Sequence, residues 1–147
     1  MRLIKRAFVI FVLFADCTTY IPTVLYIVAT GGDWVSSQVH FEYGALENHS
    51  EFTTDGSSPG PPVSFGRGNL LIARSAVRIF GVSILNNGIA NLLTEFLINR
   101  YLGYKKLIQL FSLVERISVA AWLGWQQSHQ HFWQWRENNR IADQNGW

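Results

Sequence analysis

The stretch Ile79–Ile98, IFGVSILNNGIANLLTEFLI, decides the fold. It is an apolar run of roughly 20 residues, about 30 Å as a helix, which is long enough to cross a bilayer. Its one charged side chain is Glu95, and its polar residues are not scattered. Ser83, Asn87, Asn91 and Glu95, continued by Asn99, recur at every fourth position. On a helix that spacing makes one slowly drifting stripe. The pattern predicts a transmembrane helix with a single polar face for other helices to meet.

The flanks supply those helices. Asn69–Arg78 reads as a helical lead-in, with Arg74 and Arg78 one turn apart and placed to snorkel to lipid headgroups or bind their phosphates. After the central helix, Asn99–Lys106 is a short basic turn that reads as cytoplasmic, so the next helix should be an antiparallel neighbour. That helix is Leu107–Trp125, with Glu115 and Arg116 at its middle. A charge there costs about 2.5–3.5 kcal/mol on an insertion scale, so it needs partners. Gln126–Trp147 is a polar, aromatic tail, read as a helix lying on the interface before a disordered end.

On the N-terminal side, the basic start Met1–Arg6 precedes Ala7–Ala29, an apolar segment interrupted by Asp16, Cys17–Thr19 and Pro22. Two readings compete. A signal peptide would be cut near Ala29–Thr30–Gly31; a signal anchor would keep residues 1–30 as the first transmembrane helix. The anchor is preferred because the apolar run resumes well beyond Asp16. Residues 31–68 then form an exterior loop, carrying five acids and no Lys or Arg before Arg67. Val39–Tyr43 alternates weakly, as one short strand would, and Asp55–Gly68 (DGSSPGPPVSFGRG) has turn and linker composition. Asn48–His49–Ser50 is a glycosylation acceptor sequence on the side where that modification occurs.

The fold class that follows is an all-α membrane protein of about three transmembrane helices in a small antiparallel bundle. It has a polar exterior loop, a helical hairpin over 69–125 and an interfacial tail over 126–147. Composition agrees: 48% hydrophobic residues and 15% charged ones, against about a quarter charged in ordinary domains. A net charge of +2 with no basic, aromatic-interleaved patch gives no footprint for nucleic acid. The single cysteine, Cys17, rules out an internal disulfide and a cysteine-based zinc site.

Depth counting links distant charges. Asp16 and Arg116 each lie about 13 Å in from the cytoplasmic ends of their helices, at 1.5 Å per residue. Asn87 and Asn91 fall at the same level, so Asp16–Arg116 is a predicted ion pair with the asparagines beside it. Glu115 points about 100° away from Arg116 and is left without an obvious partner in this chain. The cluster of Asp16, Asn87, Asn91, Glu95, Glu115 and Arg116 has two readings, a ligand or proton site and a polar lock between helices. The lock is preferred.

No motif for catalysis is present, and no cofactor or metal is expected. His129 and His131 point about 200° apart on a helix and lack a third ligand at a recognised spacing. His40 and His49 read as solvated loop residues.

Ala15–Val24 (ADCTTYIPTV) resembles a helix of the dolichyl-phosphate-glucose glucosyltransferases of asparagine-linked glycosylation, and His40–Tyr43 is similar to their HFQY stretch. Arg78–Gly81 with Leu85 resembles the small scaffold proteins of ergosterol biosynthesis. Each covers a handful of residues, and both imply the endoplasmic reticulum or secretory pathway in a eukaryotic chain. The expected function is a non-catalytic accessory subunit or scaffold, with membrane lipids and a protein in the membrane as partners. The alternative is an enzyme or transporter working on a lipid-linked or small charged substrate.

Overall fold

The computed structural model describes residues 17–147. Three long helices carry it: α1 (Cys17–Glu42), α2 (Phe65–Arg100) and α3 (Lys105–Asn145), with 3-10 turns at Ser50–Phe52 and Leu102–Tyr104. The all-helical class therefore stands, and no strand occurs among the described residues. Phe65–Arg100 and Leu102–Asn145 are each long and apolar enough to cross a membrane. They contain the expected spans 79–98 and 107–125. The first expected span starts at Ala7, and its part up to Asp16 lies outside the described residues.

Three expectations about segment boundaries change. The exterior loop does not begin at Gly31, because α1 runs through Gly31–Gly32 to Glu42. Glycine costs a helix about 1 kcal/mol relative to alanine, but Asp33, Trp34 and Ser37 beyond it are all buried, and that burial outweighs propensity. Val39–Tyr43 is accordingly the end of a helix and not a strand. The helix read over 126–147 is not a separate element: α3 continues unbroken to Asn145 because Ser128, His131 and Asn138 bury one face at spacings of three and seven. Its end is held, since Trp147 stacks on Tyr43 at 4.3 Å between ring centroids.

Both α1 and α3 stop in the same way. Gly44 (φ +84°) and Gly146 (φ +70°) take the left-handed conformation that ends a helix. The amide of the following residue then reaches five positions back, Ala45 to the His40 carbonyl and Trp147 to that of Ala142.

The chain divides into two compact units. Among the described residues the first holds 17–24 and 78–126. Here α2 and α3 form a hairpin closed by Leu102–Tyr104, and α1 contributes its first turns. Asn87, buried, donates to the hydroxyls of Thr18 (3.0 Å) and Thr19 (2.7 Å), and Tyr20 meets Phe80 at 5.4 Å. The outer surface of this unit is apolar: Leu85, Leu92, Phe96 and Phe111 are 64–67% exposed. Only 28% and 11% of the two candidate membrane windows is buried within the protein. Helices packed as the core of a soluble protein would be mostly covered.

The second unit holds Leu25–Val77 and Gln127–Trp147. Its centre is Trp34, buried and stacked on Phe52 (5.3 Å) and Phe65 (6.4 Å), with Phe41 at 5.8 Å. The segment between Glu42 and Phe65 is a folded cap and not a linker. Backbone pairs join Glu47 to Gly60 and Val63 to Phe52, and Phe52 and Val63 are buried. A turn at its tip is set by Asp55, whose carboxylate accepts from the Ser57 hydroxyl and amide, which lowers its pKa.

Close packing of α1 on α3 uses Gly32, where an added Cβ would stand 2.5 Å from the Trp135 ring. Gly31 has open space. The pair makes a two-way prediction. Gly31→Ala should stabilise by up to about 1 kcal/mol through helix propensity. Gly32→Ala gains the same propensity but overpacks by about 1–3 kcal/mol, for a net loss. Thermal unfolding of the detergent-solubilised variants should therefore move in opposite directions; equal shifts would contradict this packing.

Candidate functional site

The second unit encloses a cluster of ionisable side chains drawn from three segments. Asp33 comes from the middle of α1, His131 from α3 and His49 from the cap before α2. Asp33 and His131 are buried, and His49 is half-buried. The Asp33 Oδ2 atom lies 2.8 Å from His131 Nδ1 and 3.6 Å from His49 Nε2. The two imidazole rings face each other, with centroids 4.2 Å apart. Glu51, on the exposed side, has Oε1 4.0 Å from His131 Nε2.

Each member is held from behind. Asn138, buried on α3 two turns beyond His131, shares its two amide hydrogens among Asp33 Oδ1 (3.1 Å), Ser37 Oγ (2.8 Å) and Ser36 Oγ (3.2 Å). Its carbonyl is 3.0 Å from His40 Nε2. One carboxylate oxygen of Asp33 is thus fixed, and the other is presented to the histidines. The backbone amide of His49 donates to Glu47 Oε1 at 2.7 Å, which sets the cap against the cluster.

The electrostatics are unusual for a buried place. Burial pushes the Glu47 carboxyl above its ordinary pKa, opposed by the His49 amide. Burial also pushes His49 below its ordinary value, aided by His131 and opposed by Asp33. Among the described residues, the basic side chains within ion-pair distance of Asp33 are these two imidazoles, with no Lys or Arg. The ligand-competent atoms of Asp33, His49 and His131 all lie within 4.8 Å of one another. Beside Thr30, Trp34 and Phe52, the crevice they line has no room for a water-sized sphere.

This arrangement differs from the sequence reading, which placed His49 in solvent and found no third ligand for His131. The structure instead brings Asp33, 98 positions away in the chain, against His131. His129 lies outside the cluster. A signal was present: Ser128, His131 and Asn138 on α3, and Thr30, Asp33 and Ser37 on α1, each mark one buried polar face.

The residues singled out in the sequence fall elsewhere. In the first unit Ser83 and Asn87 are buried, Asn91 is half-buried, and Glu95 and Asn99 are exposed. Arg116 donates to the Ser112 carbonyl at 3.3 Å; its expected partner Asp16 is outside the described residues. Glu115 is exposed and makes no hydrogen bond or ion pair among the described residues. It opens on a groove of about 430 Å³ between α2 and α3, lined by Ile89, Leu93, Leu97, Ile108 and Phe111 together with Asn86. In the second unit Arg74 and Asn48 are exposed, as lipid contact and glycosylation respectively require; Arg78, in the first, is exposed too.

No protein-family model, curated protein or solved structure matches the chain.

Proposed function

We propose that the protein is a non-catalytic helical membrane protein, an accessory subunit or scaffold that receives a partner's membrane helix between α2 and α3. The observation that carries this reading is Glu115. A carboxylate without a partner among the described residues, at the edge of an apolar groove on two helices fit to span a membrane, is expensive unless something meets it. A helix bearing Lys or Arg at that depth supplies the charge, and the exposed Leu and Phe side chains supply the packing.

The polar layer around Asn87 supports a structural role over a catalytic one. Its donors are already engaged by Thr18 and Thr19, which fastens α1 to α2 and leaves that amide with no spare donor for a substrate.

The test is co-purification after cross-linking in native membranes. The parent chain should carry a fixed partner that resists alkaline carbonate together with it. Glu115→Lys should lose that partner by placing like charges together, whereas Glu115→Asp should keep it. A chain that is released by carbonate, or a Glu115→Lys variant with its partner intact, would sink the proposal.

A further inference from the structure

We infer that Asp33, His49 and His131 form a binding site for a divalent first-row transition metal, of which zinc is the type. The inference concerns the second unit alone and does not depend on the partner reading above.

The first support is distance. Zinc sits about 2.0–2.1 Å from imidazole nitrogen and about 2.0–2.2 Å from carboxylate oxygen, which puts tetrahedral ligands about 3.3 Å from one another. The Asp33 Oδ2 separations of 2.8 Å to His131 Nδ1 and 3.6 Å to His49 Nε2 bracket that edge. An ion drawn between the three atoms needs only small side-chain shifts, and the donor set of two imidazoles and one carboxylate suits zinc, iron(II), cobalt(II) or nickel(II).

The second support lies behind the ligands. Metal-binding side chains are oriented by outer partners. The Asp33 Oδ1 atom is held by Asn138, so Oδ2 is the coordinating oxygen. For His131 to bind through Nδ1 its proton must sit on Nε2, and that nitrogen faces the Glu51 carboxylate 4.0 Å away. His49 is fixed by its backbone to Glu47. Three carboxylates therefore surround two imidazoles, and a dication offsets that charge at the point where Asp33 is buried.

The third support is space. The crevice is too tight for a water-sized sphere, so an ion there would be held by the side chains themselves. Such a closed site fastens the cap before α2 to α1 and α3 and leaves no space for a substrate at the metal. Glu51, at the exposed edge, is placed to complete the coordination or to support His131.

The experiment uses the full chain in detergent, stripped with a chelator and titrated with Zn²⁺, then with Co²⁺ as a visible-absorption probe. The expected result is one ion per chain, with a visible Co²⁺ absorption that the chelator abolishes. His49→Gln, at a half-buried position where folding should survive, should weaken binding by more than about 100-fold, beyond the 10–100-fold typical of losing a supporting group. Asp33→Asn, which keeps the Asn138 side of the network, should do the same. His129→Ala should bind as the parent does. Absence of one-to-one binding would overturn the site and leave Asp33–His131 as a plain hydrogen-bonded pair. Parent-like affinity in a folded His49→Gln, or loss of binding in His129→Ala, would overturn it equally.

Discussion

Replacing Trp34 with alanine should cost about 3–5 kcal/mol, the range for removing a buried tryptophan or phenylalanine from a packed core. Small domains are stable by about 5–15 kcal/mol in total, so the loss is a large share. Trp34 is the one ring that touches α1's own Phe41, the cap's Phe52 and the start of α2 at Phe65. It also lies over Gly68, where any Cβ would collide with its indole. The void left by alanine is bordered by three separate segments, and none can close it without leaving another partner. The cap should open first, since its two bridges to itself are isolated. Amide exchange at Val63 and Thr54, whose backbone bonds cross the cap, should become fast in the variant. Trp34→Phe should keep most of that protection through ring contact. Unchanged exchange in Trp34→Ala would mean the cap is held by something other than this core.

The same tryptophan shows where the sequence was legible and where it was not. The helices were readable because apolar residues in long runs, interrupted by polar ones at fixed steps, point to one periodicity. Ser83 and Asn87 do lie on the covered side of α2, as the four-residue stripe requires. The extent of the loop was misread because Gly31–Gly32 and the acids after it have loop composition. Composition cannot register that Asp33 and Trp34 are buried, or that Gly32 is small so that Trp135 can approach. The site was hidden for a related reason. Its three members come from a helix, a cap and a second helix, and nothing local marks them as neighbours. His131 sits two residues from His129, and a search for ligands at short spacing pairs those two. The geometry instead pairs His131 with an aspartate 98 positions earlier. Periodicity on α3 separates the histidines, because His131 continues the buried face through Ser128 and Asn138.

Asn138→Leu should be the second large effect, at about 2–4 kcal/mol, because it strips a buried carboxylate of a donor. The substitution nearly conserves volume, so the cavity contribution is small and the polar one is isolated. Two N–H donors are lost, shared among Asp33 Oδ1, Ser37 Oγ and Ser36 Oγ, and the Gln134 amide loses its acceptor. Hydroxyls can turn to other acceptors; among the described residues the Asp33 Oδ1 atom keeps only the long contact from Ser37 at 3.5 Å, while Oδ2 keeps His131 at 2.8 Å. The neutral pairing shows in a second variant. If Asp33 carries the cost, then Asp33→Leu combined with Asn138→Leu should be less damaging than the sum of the single changes, since an apolar pair leaves no stranded charge. Chemical unfolding of the two single variants and the double variant measures that coupling. Additive losses would show that Asn138 acts through Ser36 and Ser37 instead. Asn138 is a positioning residue for the cluster, so its loss should also weaken zinc binding by about 10–100-fold. Asn138→Asp separates the two roles: it adds a second carboxylate beside Asp33, which destabilises the protein without metal, while a bound dication compensates that repulsion. The stabilisation by Zn²⁺ should therefore be greater in Asn138→Asp than in Asn138→Leu. The reverse order would break the link between this asparagine and the ligand it holds.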